Sequence, residues 1–219
     1  DMMYMSGRAL HAVTSNLALR LSEEFKGDML LSFAGGADAF NVSDLMRSGM
    51  TTITVCSDLL KTGGYLRMPQ YIEELNNALD KAGASSLRDF VANTAVVQES
   101  MGEFVQLMAY GALTESGLNI TPAQAASLSE VLRYDNDGQA PIAVIEAWAA
   151  ENGFDEERTA DLVGLVLNAL KRVNLRQYAQ SVREDWRYKK ESFRTDRSKT
   201  DRELHFFDCI EAPCVDECP

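Results

Sequence analysis

Two short apolar runs, with helical sequence around and between them, set the first constraint on this chain. Residues 29–33 read MLLSF and residues 51–56 read TTITVC. Both have strand length, and the second is rich in β-branched residues. Between them lie Gly35-Gly36 and then DAFNVSDLMR, where Asn41 or Ser43 can cap a short helix and Gly49 can end it. A helix precedes the first run over residues 8–24, with Leu10, Val13, Leu17 and Leu21 at helical spacing. Another follows the second run, with Pro69 near its start and Gly83 at its end. Wholly apolar strands that alternate with helices predict a parallel sheet covered by helices.

After residue 83 the pattern becomes helical. Residues 86–114, 122–133, 140–152 and 155–190 carry helical periodicity. Ser85 or Ser86 can cap the first, Thr121-Pro122 opens the second, Gly153 closes the third, and Asp155 with Glu156 and Glu157 opens the fourth. In the last, Leu162, Leu165, Val166, Ala169 and Val173 form the expected core stripe. From about Glu184 the sequence is highly charged and nearly free of aliphatics, and it reads as a solvated helix end and linker.

Two parallel strands do not make a stable sheet by themselves, and a complete (β/α)8 barrel takes roughly 250 residues. The expected fold is therefore α/β plus α: the C-terminal part of a (β/α)8 barrel over residues 1–83, a helical segment over 84–190, and a charged linker with the start of a further domain over 191–219. The chain opens on Asp1 and is expected to be a piece of a longer protein.

Net charge is −12 and the isoelectric point about 4.6, which argues against nucleic-acid binding through a basic face. The acidic surface is expected to be solvated or to dock a partner. No apolar run reaches the roughly 20 residues of a membrane span, and no signal sequence opens the chain. Four cysteines in 219 residues are not a disulfide framework. Both points favour the cytoplasm. Cys56 is expected to be a buried small hydrophobe.

Three small-residue turns stand where a barrel commonly holds a phosphate. Gly35-Gly36 follows the first strand, Cys56-Ser57 follows the second, and Ser6-Gly7 precedes the first helix. Glycines let main-chain amides approach an anion, and a helix N-terminus adds a favourable dipole. The plainer account is that glycines simply make turns. Residues 4–57, YMSGRALHAVTSNLALRLSEEF…LLSFAGGADAFNVSDLMRSGMTTITVCSD, resemble the end of a dihydroorotate dehydrogenase-type flavin barrel. The resemblance implies binding of the FMN phosphate by Gly7, Gly35, Gly36, Cys56 and Ser57. It implies no catalytic residue within this chain. Asp38 stands just after the glycines, where it would oppose a phosphate unless it points away.

The chain ends on CIEAPCVDECP, with Cys209, Cys214 and Cys218 spaced C-x4-C-x3-C-P. His205 could join them at a zinc ion. The terminal C-x3-C-P fits bacterial-type 4Fe–4S ligation, in which the cysteine before proline often serves a second cluster. Unliganded thiols in a tail are the third reading. FFDCIEAPCVDECP resembles the motif that opens the helical iron–sulfur domain of dihydropyrimidine dehydrogenase and of the glutamate synthase small subunit. Phe206 stands at the position of that motif's first cysteine. The order of barrel end, helices and cluster motif, with LMRSGMTTITVCSDLLKTGGYLRM and RYKKESF, is similar to the YgfK-type selenate reductase subunit family. That similarity implies a multi-cofactor oxidoreductase. Electrons would pass from NAD(P)H through FAD, both bound further downstream, to 4Fe–4S clusters, with a partner redox subunit beyond. The alternatives are a non-catalytic scaffold with a relic barrel and a zinc-stabilised interaction module.

Other features carry less. Asp135, Asp137 and Glu146 fit positions 1, 3 and 12 of a calcium loop, but Ala140 occupies the place of the required glycine, so Asp135–Gly138 reads as a turn. His11 is expected to be structural or exposed, and Trp148 and Trp186 to be packing residues. With two histidines and no supporting motif, no Ser-His-Asp arrangement arises.

Overall fold

Of the helix expected over 86–114, Leu87–Val96 forms and most of the remainder lies outside the described residues; the other expected helices form near their expected bounds. The structure, a computed structural model, describes residues 7–61, 63–96, 110–111, 113, 118–132 and 140–188. Helix α1 (Arg8–Glu24) leads to strand β1 (Ser32–Phe33), helix α2 (Val42–Arg47) and strand β2 (Thr52–Ile53). Two 3-10 turns, Ser57–Leu60 and Gly64–Arg67, run into α3 (Met68–Lys81). The helical part follows as α4 (Leu87–Val96), α5 (Pro122–Val131), α6 (Pro141–Glu151) and α7 (Glu156–Glu184), with a closing 3-10 turn at Trp186–Tyr188. The caps use the expected residues. Thr121 and Gln124 form a reciprocal capping box on α5, and the Asp155 carboxylate accepts from Arg158 N–H at the start of α7.

β1 and β2 pair in parallel, with Ser32 opposite Thr52 and Phe33 opposite Ile53. The ladder is shorter than the apolar runs, because each strand has one neighbour among the described residues and its ends find no ladder partner. Among the described residues, helices cover one face of this sheet. Phe33, Ile53 and Val55 point toward α1 and α7 and pack in one core. Thr52, Thr54 and Cys56 point the other way and are exposed. Leu30 is 79% exposed. Cys56 is thus not a buried hydrophobe: the two-residue period of a strand puts it on the face that the helices leave open.

Two cores result, and α7 serves both. Leu162, Val163, Val166, Leu170 and Val173 of α7 join α4, α5 and α6 in the helical core. Leu175, Tyr178 and Val182, further along the same helix, pack with Phe33, Leu45 and Met50 in the core over the sheet. At the junction Asn174 is fully buried. Its Nδ2 donates to Arg47 O at 2.7 Å, Val91 O at 2.9 Å and Thr94 Oγ1 at 3.2 Å.

α1 buries a different face from the one its leucines suggest. His11, Ser15, Ala18 and Ser22 are buried, whereas Val13 and Leu17 are more than half exposed. Small side chains at Ser15, Ala18 and Ser22, and His11 hydrogen-bonded across to Tyr178, let α1 approach α7 closely. The apolar stripe looks outward.

Candidate functional site

At the C-terminal ends of the two strands, the three predicted turns meet. Gly7, with φ of 59°, is the N-cap of α1. Gly36, with φ of 75°, follows β1 so closely that a Cβ there would lie 2.4 Å from Gly7 O. A Cβ on Gly7 would in turn lie 3.0 Å from Ser57 Oγ, at the start of the turn that follows β2. Gly35 abuts the Thr14 side chain, 2.3 Å from where its Cβ would stand. Gly7, Gly35, Gly36 and Ser57 are therefore brought into one place, with Cys56 next to Ser57 on the open face. The space at the glycines is filled by protein atoms. Their first role is to let three turns touch, which is a stricter demand than turning the chain.

The donor set at this junction has the chemistry of an anion site. α1 is 17 residues long and has no acidic residue in its first turn, and a helix N-terminus favours an anion. Ser57 adds a hydroxyl donor. Asp38, 9% exposed, turns into its own loop, where Oδ1 accepts from Phe40 N–H at 3.0 Å. The residues fit a phosphate in donor chemistry.

A buried polar cluster fixes the glycine turn from behind. His11 is fully buried, and its Nδ1 donates to Gly35 O at 2.8 Å. A carbonyl can only accept, so the proton sits on Nδ1 and Nε2 accepts from the Tyr178 hydroxyl at 2.5 Å. The Tyr188 ring stacks on His11 at 4.6 Å and 14°. Asn41 closes the circuit. Its Nδ2 donates to Gly36 O at 3.1 Å and to Tyr188 Oη at 3.2 Å, while its Oδ1 accepts from Asp38 N–H at 2.9 Å. Burial lowers the His11 pKa and keeps the imidazole neutral. Burial likewise raises Tyr178, and pushes Tyr188 up to about 12. The cluster holds its protons and positions the turn.

A second anchor lies under the Ser57 turn. Asp58 and Arg67 are 5% and 1% exposed, and Arg67 Nε donates to Asp58 Oδ2 at 3.2 Å. The Tyr71 hydroxyl donates to the same oxygen at 2.6 Å, and Lys61 Nζ lies 3.2 Å from Oδ1. Burial first, and then the Asp58 partner, raises the Tyr71 pKa far above its ordinary range.

Residues 1–106 match the model of a family described as oxidoreductase YgfK, N-terminal TIM-barrel domain. The N-terminal half is similar to that domain. The match reaches from ahead of α1 to beyond α4 and takes in all three turns. Two curated proteins, from Escherichia coli K12 and O157:H7 and named provisionally as oxidoreductase YgfK, are each 37% identical over 100 residues. That stretch is 44% of this chain and 10% of either relative, so the chain spans about a tenth of the curated relatives it matches. No solved structure matches.

Neither anchor was legible beforehand. Tyr188 sits in the charged stretch that reads as solvated, yet it packs on the sheet core. His11 carries no motif, and Asp58 and Arg67 are ordinary loop charges until the fold buries them together. Cys209, Cys214, Cys218, His205 and the Asp135–Gly138 turn lie outside the described residues, as does the Trp186 side chain. Trp148 packs in the helical core. Among the described residues no cluster of three His, Cys, Asp or Glu side chains is placed to hold a metal, and no helix is long and apolar enough to cross a membrane.

Proposed function

We propose that this chain is part of a multi-cofactor oxidoreductase, with the barrel end holding FMN and the C-terminal cysteines serving 4Fe–4S clusters. The observation that supports it most is the meeting of Gly7, Gly36 and Ser57 at the N-terminus of α1, within a segment similar to a barrel domain named as an oxidoreductase. In this reading Gly7, Gly35, Gly36 and Ser57 hold the phosphate through main-chain N–H groups and the serine hydroxyl, and Cys56 flanks them. Bound FMN would supply one- or two-electron transfer. The Asn41–Tyr188 and His11–Tyr178 hydrogen bonds keep the glycine turn rigid, and the Asp58–Arg67 pair keeps the Ser57 turn in register with it. Cys209, Cys214 and Cys218 are the cluster ligands, and electrons arrive from NAD(P)H through FAD bound elsewhere in the longer protein. A redox subunit accepts them.

The test is anaerobic purification of the full-length protein with analysis of flavin, iron and sulfide. FMN released on denaturation, and lost in Ser57→Ala at unchanged stability, supports the barrel assignment. Iron and sulfide lost from Cys209→Ser and Cys214→Ser support the cluster assignment. A well-folded, iron-loaded protein without flavin sinks FMN binding, and zinc without iron or sulfide sinks the cluster.

One observation favours a second reading, a barrel end that acts as a scaffold. The glycine Cβ positions are filled by Thr14, Gly7 and Ser57, so the turns are explained by their own packing. The same flavin measurement separates the two.

A further inference from the structure

At the other end of β2 from Ser57, a cleft of about 390 Å³ opens between the turn into β2, the start of α4 and the middle of α7. Small-molecule pockets run from about 300 to 1,000 Å³. Its floor is apolar, with Met50 and Leu167 buried and Met46 half-buried. One wall of α7 is cut back at Gly164. Glycine inside a helix is weaker than alanine, and here a Cβ would meet nothing within 4 Å. No neighbour demands the glycine. Its missing side chain leaves cleft space.

The rim of the cleft carries charge. Lys171 is half-buried, and its stem crosses the cleft so close to Gly49 that a Cβ there would lie 2.8 Å from Lys171 Cγ and Cδ. Its ammonium donates to Asn168 Oδ1 at 2.9 Å, and Asn168 Nδ2 donates to Asp28 Oδ1 at 3.2 Å. Arg88 lines the same cleft. Burial lowers the Lys171 pKa, the Asp28 carboxylate partly offsets this, and the Arg88 cation adds to it. Among the residues lining the cleft, two cations, Lys171 and Arg88, stand beside one carboxylate, Asp28.

We propose that this cleft binds a small amphipathic monocarboxylate, with its chain on Met46, Met50 and Leu167 and its carboxylate on Lys171 and Arg88. The site is separate from the glycine turns and does not depend on their function. Gly164 sets the room for the chain, and Lys171 sets the sign of the head group.

Isothermal titration of the full chain with octanoate tests this, with octylamine as the charge-reversed probe. Octanoate saturates with a Kd below about 1 mM, and octylamine binds at least about tenfold more weakly. Lys171→Met weakens octanoate by about tenfold, the worth of one charge-assisted hydrogen bond, and removes the preference. Gly164→Leu blocks octanoate while the thermal midpoint stays at or above that of the parent. Gly164→Ala, which only gains helix propensity, weakens it and serves if the leucine variant does not fold. No saturation, equal binding of octylamine, or unchanged binding in both Gly164 variants overturns the proposal.

Discussion

His11 shows how much one buried side chain can hold. Both ring nitrogens are used, and the ring ties α1 to the glycine turn and to α7. Truncation to alanine would remove the His11 partner of Gly35 O and of the Tyr178 hydroxyl and leave a void. The expected loss is about 2–4 kcal/mol by chemical denaturation. The histidine also makes stability depend on pH. Burial lowers its folded pKa, while the unfolded chain takes up a proton near pH 6.5. The unfolded state therefore binds more protons on acidification. Stability is fully present above about pH 6.5 and falls as pH drops below that value toward the folded pKa. Midpoints measured between about pH 7.5 and 5.5 should fall in the parent and stay flatter in His11→Gln. An equal slope in both would show that His11 is not the titrating group. The Asp58–Arg67 pair is argued the same way. Asp58→Asn or Arg67→Met alone breaks the buried pair and costs about 3–5 kcal/mol. The double variant Asp58→Asn/Arg67→Met should lose less than the two singles added together. Strict additivity would mean the pair is not coupled. Nothing in the sequence around either residue signals this, because burial of a charge is decided by elements far along the chain.

At the scale of elements, the capping signals and the core stripe of α7 match the structure, and the buried face of α1 does not. Thr121-Pro122, Asp155 and Gly153 cap helices by chemistry contained within a few residues, so their positions follow from sequence. The face that α1 buries does not. Its leucines suggest Leu10–Val13–Leu17–Leu21, yet the protein buries His11–Ser15–Ala18–Ser22. The approach distance to α7 decides that choice, and no period in α1 encodes it. The glycine turns were legible as turns, but that Gly36 must touch Gly7 needed the fold. Asn174 belongs to the same class. One amide serves the end of α2 and two residues of α4 from the middle of α7. Asn174→Leu removes a donor from carbonyls that stay buried and should cost about 2 kcal/mol. Asn174→Asp faces those carbonyls with an acceptor and should cost more, at least about 3 kcal/mol at neutral pH, with part of the loss recovered on acidification. Equal losses for the two variants would mean that the amide's donors are not what matters.

For the whole molecule the question is whether two cores make two folding units. Residues 1–83 and 84–190 look separable in sequence because the strand–helix alternation stops between them. The structure ties them through a helix of 29 residues that contributes Val166 to one core and Val182 to the other. A helix gains its stability from the faces it buries, and a helix this long cannot lose half its packing without exposing buried residues of the other half. The described residues should therefore unfold together. Val182→Ala, in the core over the sheet, is expected to cost about 1–2 kcal/mol. Native-state hydrogen exchange then gives the decisive readout. If α7 couples the cores, the slowest amides of α6, which never touch Val182's core, lose protection by the same amount as those of α1. If Val182→Ala speeds exchange in α1 and leaves α6 unchanged, the cores open separately and α7 is only a tether between them. The reciprocal variant, Val166→Ala, must then show the opposite asymmetry, whereas in the coupled molecule the two substitutions lower protection in both cores alike.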